Sequence, residues 1–380
     1  MKKITIVSDF YPPHWTGIAK SIFYLADSIK EEFFTTVLTV QFKQQLPVSE
    51  KKEGIIIKRF PVSFTLSRAK FSGALIFHFL RNIKHSDVIL INSPSIHILP
   101  ISVIAKIFQK KLLIFHQGDL ILPKGMINYF IQQIFDLASL ISFALADQLA
   151  TYTQDYAHNS RLLKKFPQKT QAFIPPLPYF APTQLAGQVD QQLKRKLSTL
   201  KKKKTFLIGC AGRFVEEKGF DVLLAAIIKL KEQRDDFFLV FAGETNISYE
   251  KTFFKNQELV NQLKDNLIFL GLLNDIQLNS FYQAMDLFIL PSRSECFGLV
   301  QAEAMAKKTP VIVSDIPGAR DPVVATGYGL LFEKNNPTAL MLAIKEMLNH
   351  LKSFDKNYKK VAQYFDQDKA QRALLNFLKN

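Results

Sequence analysis

The chain has 380 residues, 48% of them hydrophobic, with 49 Lys and Arg against 33 Asp and Glu for a formal net charge of +16. That length suits two domains of roughly 150 to 200 residues rather than one, and the apolar content excludes a disordered or low-complexity chain. Its two cysteines, Cys210 and Cys296, lie outside any Cys/His cluster, which argues against a thiolate metal centre and a disulfide framework and points to a reducing compartment.

In chain order, a basic start with few apolar residues before Asp9 is too short for a signal peptide and is expected as a first strand at residues 3–8. It opens into a loop at 9–17, on the side of an open α/β sheet where ligands sit, and Gly17 suits close backbone approach there. A helix at 18–30 and strands at 34–41 and 54–60 follow. Residues 66–84 are expected as a helix mixing Phe71, Leu75, Phe79 and Leu80 with Arg68, Lys70, Arg81 and Lys84. That pattern fits a crossover helix before the strand at 88–92, or a membrane-surface helix, and residues 101–111 share the ambiguity. Neither of the most apolar windows, 96–115 and 126–146, reaches 20 clean apolar residues, so no transmembrane span is expected.

The strand at 111–115 runs directly into His116, Gln117, Gly118 and Asp119. A histidine at that point faces the ligand side of a parallel sheet, although a structural role is the plain alternative. Asp119 either assists it or caps the next helix. A helix at 127–144, a strand at 149–153, a helix at 154–164 and a strand at 171–174 complete the first sheet, and Pro175, Pro176 and Pro178 stop it. Residues 1–180 hold 21 Lys and Arg against 11 Asp and Glu, an excess of 10 that favours this half. With no nucleic-acid module in the sequence, a basic surface points to anionic lipid or a phosphorylated substrate.

A lysine-rich linker at 183–204 precedes a second domain that opens with a strand at 206–209 and the loop GCAGRFVEEKG. This is not G-x-G-x-x-G, which argues against a dinucleotide oxidoreductase. It offers Arg213 and Lys218 before a helix at 220–230, a guanidinium and an ammonium suited to a diphosphate, unless they pair with Glu216 and Glu217. Strands at 238–242 and 267–270 give further sheet exits at Gly243 and Gly271.

Residues 291–315, PSRSECFGLVQAEAMAKKTPVIVSD, compress a strand exit, a loop, a helix and a second strand. A helix at 299–306 is apolar on almost every face and so buried, yet it carries Glu303. A buried carboxylate needs a polar cleft or donors that the neighbouring sequence does not show. Glu295 lies in the preceding loop, and Gly298 precedes helix-start amides that form an anion site.

The spacing of Glu295 and Glu303 within PSxxExFGxxxxEAMAxxxPVIxSD resembles the E-x7-E motif of glycosyltransferase family 4 (the group 1 family), retaining enzymes of the GT-B fold. The G-R-x(4)-K-G pattern at 212–219 also matches, and the resemblance covers nearly the whole chain, most closely 206–328. It implies an α/β architecture of two Rossmann-like domains facing across a cleft: an acceptor domain at 1–182, the basic linker at 183–204, a donor domain at 205–358, and a helix at 359–380 that crosses back to pack on the first domain.

It further implies that His116 and Glu295 hold the donor sugar, that Glu303 holds the ribose, and that amides of Phe297, Gly298 and Leu299 face phosphates and sugar. Arg213 and Lys218 would neutralise the departing diphosphate, while Gly17, Gly243 and Leu272 line the donor. The chain departs from the pattern at Thr16 (usually Gly), Pro176 (usually Asn), Lys307 and Lys308 (usually Ala-Gly), Ala319 (usually Gly) and Asp321 (usually Glu).

The implied reaction moves a sugar from a nucleotide-diphosphate sugar to an acceptor hydroxyl, with retention and without a metal or other cofactor, in synthesis of cell-surface polysaccharide, lipopolysaccharide or glycolipid. An acceptor glycan, glycolipid or small molecule and an anionic membrane surface are the expected partners, nucleic acid is not, and the location is the cytoplasm or the inner face of the cell membrane. A sugar-nucleotide epimerase or hydrolase and a non-catalytic membrane scaffold are the competing readings.

Overall fold

The structure, a computed structural model, describes residues 1–14, 16–66, 69–122, 125–180, 188–247 and 250–379. The chain forms two compact units, Met1–Pro176 with the segment from Gln367 onward, and Leu177–Asp366.

The first unit is built on one sheet of eight strands: β1 (Lys2–Val7), β2 (Phe33–Val40), β3 (Ser49–Lys52), β4 (Ile55–Phe60), β7 (Val88–Ser93), β8 (Lys111–His116), β9 (Gln148–Thr151) and β10 (Thr170–Ala172). Their order is β10-β9-β8-β7-β1-β2-β4-β3, parallel throughout except where β3 folds back on β4 at the edge. Central strands such as VILINS in β7 are buried along their whole length, as runs covered by helices on both faces must be. Strand order reverses between β1 and β7, and in an open α/β sheet the ligand crevice lies at the carboxyl ends of such strands. Helix α1 (Gly17–Ile29) starts at that crevice, with the Thr16 hydroxyl accepting from the Ala19 N–H at 3.1 Å.

Several expected elements differ. In place of the start of one helix at 66–84, β5 (Phe64–Leu66) and β6 (Ala69–Phe71) form an antiparallel hairpin, and α2 (Gly73–Asn82) begins where the Ser72 hydroxyl accepts from the Leu75 N–H. Arg68 lies outside the described residues. Helices α3 (Ile98–Ile107) and α4 (Met126–Leu145) follow as expected, but α5 (Gln154–Asn159) is short and gives way to a 3-10 turn at Leu163–Lys165. Ser160 causes the break: its hydroxyl accepts from the Leu162 and Leu163 N–H groups.

The expected final helix at 359–380 is two helices belonging to different units. Tyr358–Tyr364 stays in the second unit and stops at Phe365, which stacks on Phe180 at 4.2 Å. Gln367–Lys379 packs in the first unit: Gln371 donates to the Ser28 carbonyl (2.8 Å), Lys111 to the Leu378 carbonyl (3.1 Å), and Phe377 meets Phe173.

The second unit has six parallel strands, β11 (Phe206–Ala211), β12 (Phe237–Ala242), β13 (Leu267–Gly271), β14 (Leu287–Leu290), β15 (Val311–Ser314) and β16 (Gly329–Phe332), in the order β13-β12-β11-β14-β15-β16. Helices Phe220–Lys231 and Pro337–Asn349 bury Leu223, Ile227, Leu340 and Ile344 in its core. Of the expected linker at 183–204, residues 183–187 lie outside the described residues, and Gln191–Lys203 is a helix of this unit. Leu193 and Leu197, one turn apart, are buried, and the Asp190 carboxylate caps the helix by accepting from the Leu193 N–H at 2.8 Å.

Candidate functional site

In the second unit the switch in strand order lies between β11 and β14, and the loops leaving those two strands carry Arg213, Lys218 and Glu295. Lys218 and Glu295, far apart in sequence, meet there as an ion pair of 2.5 Å, and the Ser292 hydroxyl donates to the same carboxylate oxygen at 2.9 Å. Burial opposes a charge on Lys218, but Glu295 and Glu217 outweigh it and the proton affinity of the ammonium rises above the ordinary lysine value; Arg213 is near enough to pull it the other way. The partner of Lys218 is thus Glu295 across the crevice, while Glu217 acts on it through space.

Arg293, which the sequence reading passed over, joins the two loops. Its backbone N–H donates to the Glu217 carbonyl at 2.8 Å, and its guanidinium takes both Asp221 oxygens, at 2.8 and 2.6 Å, together with the Glu216 carbonyl. A planar fork with several fixed donors can take both oxygens of a carboxylate in parallel and a carbonyl besides, a bidentate geometry that an ammonium does not reproduce.

The loop after β14 ends at Gly298, whose φ of +79° a side chain would strain, and helix Leu299–Ala306 starts immediately after it. The electropositive end of that helix therefore lies beside the crevice. The Phe297 ring is buried and edge-on to Phe365, and its carbonyl accepts from Gln301 at 2.5 Å; Leu299 is half-buried. Glu303 is only 2% exposed and accepts from the Tyr282 hydroxyl at 2.7 Å, a donor on helix Asp275–Ala284. Gly243 has a structural reason of its own: a Cβ there would come within 1.9 Å of the Gly212 carbonyl oxygen, so it lets the loops after β11 and β12 touch. Leu272, just past the end of β13, is exposed.

In the first unit, His116 ends β8 and is 1% exposed. Its Nδ1 lies 2.9 Å from the Ser93 hydroxyl and its Nε2 3.1 Å from Asp119. Asp119 also accepts from the Ser160 hydroxyl and the Arg161 N–H, each at 2.8 Å. Burial would raise its pKa, but the hydrogen bond and charge of His116, with Ser160 and Arg161, hold the carboxyl below the usual range. Gly17 opens α1 with nothing within 4 Å of where a Cβ would stand, so the space in front of it is open.

The sequence reading missed a second polar network at the strand ends of this unit. Gln117 donates to Asn92 at 2.5 Å, Asn92 donates to the Ser8 hydroxyl at 2.9 Å, and the Tyr152 hydroxyl donates to Gln117 at 3.3 Å. Beside it, Asp9 accepts from Ser95, the Ile96 N–H and His97 Nδ1 at 2.7 to 2.8 Å, tying the loop after β1 to the loop after β7. The polar residues at strand ends were visible in the sequence; their partners were not. Among the described residues, no group of three or more His, Cys, Asp or Glu stands close enough to hold a metal ion, and no helix is long and apolar enough to cross a membrane.

Residues 191–364 match the family model for glycosyl transferases group 1. The lipopolysaccharide core biosynthesis mannosyltransferase LpcC of Rhizobium leguminosarum bv. viciae is 33% identical over 142 residues, 36% of this chain and 39% of that protein. The capsular polysaccharide biosynthesis glycosyltransferase CapM of Staphylococcus aureus is 29% identical over 144 residues, 38% and 37% of the two chains. The matched stretch thus spans about two-fifths of the length of these relatives. Sucrose-phosphate synthase from Thermosynechococcus elongatus superimposes with a TM-score of 0.77 at 18% identity, over 100% of this chain and 98% of that one. Anabaena Alr3699/HepE, solved in complex with UDP, gives 0.78 at 16% identity over 99% of each chain. The fold is therefore that of these proteins, two Rossmann-like α/β domains of the GT-B class.

Proposed function

We propose that this chain, whose residues 191–364 match the group 1 glycosyl transferases, moves a sugar from a nucleotide-diphosphate sugar to an acceptor hydroxyl as a retaining enzyme of family 4. The observation that carries the reading is the meeting of Lys218 and Glu295, with Arg213 nearby, at the β11–β14 switch point beside the start of helix Leu299–Ala306. When the bond to the anomeric carbon breaks, negative charge develops on the diphosphate. Fixed positive groups aimed at that charge lower the barrier without reorganising.

In this reading Arg213 and Lys218 take the diphosphate, together with the amides of Phe297, Gly298 and Leu299. Release of Glu295 from Lys218, as the ammonium turns to phosphate, frees a carboxylate to accept from sugar hydroxyls. Glu303, held by Tyr282, takes the ribose, and Gly17, Gly243 and Leu272 line the donor. His116, oriented by Ser93 and Asp119, contacts the sugar. The two cations and the helix start supply the charge that the leaving group needs, so turnover is proposed to require no metal or other cofactor.

Names among the relatives, a lipopolysaccharide core mannosyltransferase and a capsular polysaccharide glycosyltransferase, support a cell-surface glycan or glycolipid as product. Structural neighbours solved with UDP and with UDP-glucose support a nucleotide-sugar donor. Acceptors of this kind ride on lipid, so peripheral contact with the inner face of the cell membrane belongs to the same proposal.

The test is a thermal-shift screen of UDP-, GDP- and ADP-sugars, followed by transfer of labelled sugar from the stabilising donor to lipid and oligosaccharide acceptors, with the product anomer read by NMR. One donor class should raise the melting temperature, and the product should keep the donor's anomeric configuration. Donor consumed to an altered sugar without acceptor, an inverted product, or no stabilisation by any donor would each defeat the reading.

A further inference from the structure

Helix α4 is 20 residues long and turns Ser139, Ser142 and Phe143 inward. Its opposite side is largely apolar and exposed, with Gln133 the exposed polar residue beside the stripe. Met126, Phe130, Ile134, Leu137 and Ile141 recur one helical turn apart and are all exposed, Ile134 at 70% and Leu137 at 60%. Fifteen rises of the helix make this stripe about 22 Å long. On α3, which packs along α4, Ile107 is exposed as well. Contiguous apolar surface of this extent marks a partner.

Charge selects the partner. Within α4 the one side chain charged at neutral pH is Asp136, and Arg161 neutralises it through two hydrogen bonds of 2.8 and 3.0 Å. The rim is cationic. At the carboxyl end of α4, Lys169 donates to the carbonyls of Ala144 and Ala146, while Lys106 pairs with Asp147 and adds no net charge. Lys110, just past the end of α3, donates to the Lys84 carbonyl and adds one more ammonium group there. A second copy of the chain, seated on this stripe by a two-fold axis, would bring like-charged rims together. An anionic lipid surface would instead receive the stripe in its acyl boundary and the lysines on its phosphates. Tyr129 and Phe130, exposed at the amino end, are residue types that settle at headgroup depth.

We propose that α4, flanked by the exposed end of α3, is a membrane-docking element that lies along the surface of an anionic bilayer, with the Met126-to-Ile141 stripe among acyl chains and Lys110 and Lys169 at the headgroups. This is a different surface from the donor site, and it names the contact through which a lipid-borne acceptor would be met. Vesicle binding and donor binding can therefore fail separately.

The experiment is flotation of the full chain with vesicles of phosphatidylcholine alone, or with about 30% phosphatidylglycerol added. The chain should float with the anionic vesicles and partition far less onto the neutral ones. Ile134→Asp/Leu137→Asp should lower the partition on the order of 100-fold, and about 0.5 M salt should lower it roughly tenfold. Both positions face outward, so the melting temperature and its rise with donor should match the parent; Ile127→Asn/Phe130→Ser, at the other end of the stripe, provides a second variant. The proposal is overturned if the parent chain stays unbound on anionic vesicles, if both variants float like the parent, or if sedimentation shows a dimer that the substitutions split. Absence of any donor shift in a chain that still floats would count against the proposed activity alone.

Discussion

The Lys218–Glu295 pair can be weighed by a double-mutant cycle with Lys218→Met, Glu295→Gln and both together. The two groups are 2.5 Å apart, with side chains 24% and 12% exposed, so they sit between a surface pair and a buried one. Surface pairs couple by about 0–1 kcal/mol, and breaking a buried pair costs about 3–5 kcal/mol. Partial exposure scales this to a coupling of ~1–2 kcal/mol, with Lys218→Met alone costing slightly more because the Glu295 carboxylate loses its ammonium while keeping the Ser292 hydroxyl. Urea unfolding of the four proteins, without ligand, reads the coupling. Its pH dependence has a definite sign. The Lys218 pKa lies above the ordinary lysine value, so its contribution is complete below that value and is lost only as pH climbs through the raised one. The coupling should accordingly be flat from about pH 7 to 9. A coupling under ~0.3 kcal/mol, or one that fades across that interval, would refute the placement of the two groups as a partly desolvated pair.

Tyr282→Phe removes the hydroxyl that serves the buried Glu303 carboxylate, and should cost ~1.5–3 kcal/mol in urea unfolding while weakening nucleotide binding measured by calorimetry. Arg293→Lys keeps a charge but loses the two parallel bonds to Asp221 that the guanidinium makes while it holds the Glu216 carbonyl, so the donor KM should rise about tenfold with little change in Tm; an unchanged KM would remove Arg293 from the loop clamp. Gly298→Ala puts a side chain at a φ of +79° and should cost about 1–2 kcal/mol on chemical denaturation. Asp119 has a depressed pKa, so its contribution is complete above the ordinary aspartate value and is lost as pH falls through the folded value. Asp119→Asn should therefore be less stable than the parent at neutral pH and draw level with it in strong acid, as thermal scans at several pH values would show.

What could be read from the sequence divides along a physical line. Strands buried on both faces and the helix at Leu299–Ala306 announce themselves through composition and period, and the latter had the same bounds in both readings. Glu295, Gly298 and Glu303 share one short stretch, so their grouping needed no tertiary information. Their partners did. Tyr282 and Lys218 reach the two carboxylates from two other segments, while Ser292 stands only three residues before Glu295, and only the resemblance suggested that Lys218 belonged with them.

Other features were hidden by competing patterns. Phe64, Leu66 and Phe71 satisfy an alternating strand as readily as a helical stripe, and the hairpin register decides between them. Residues 194–204 hold seven basic side chains, which masked Leu193 and Leu197 and made a packed helix look like a linker. The final two helices form one continuous amphipathic pattern in sequence, and the stacking of Phe365 on Phe180 is what parts them. In α4 the apolar residues were plain, but which of them the fold leaves uncovered is a property of packing alone.

Calorimetric titration of UDP, GDP and ADP into the full chain and into Arg213→Met and Lys218→Met is the most direct test of the proposed diphosphate cradle between β11 and β14. One nucleoside diphosphate should bind, and each substitution should weaken it about tenfold or more by removing a charge-assisted contact to phosphate. Equal affinity in all three proteins, or no binding of any of the three nucleotides to the parent chain, would contradict it.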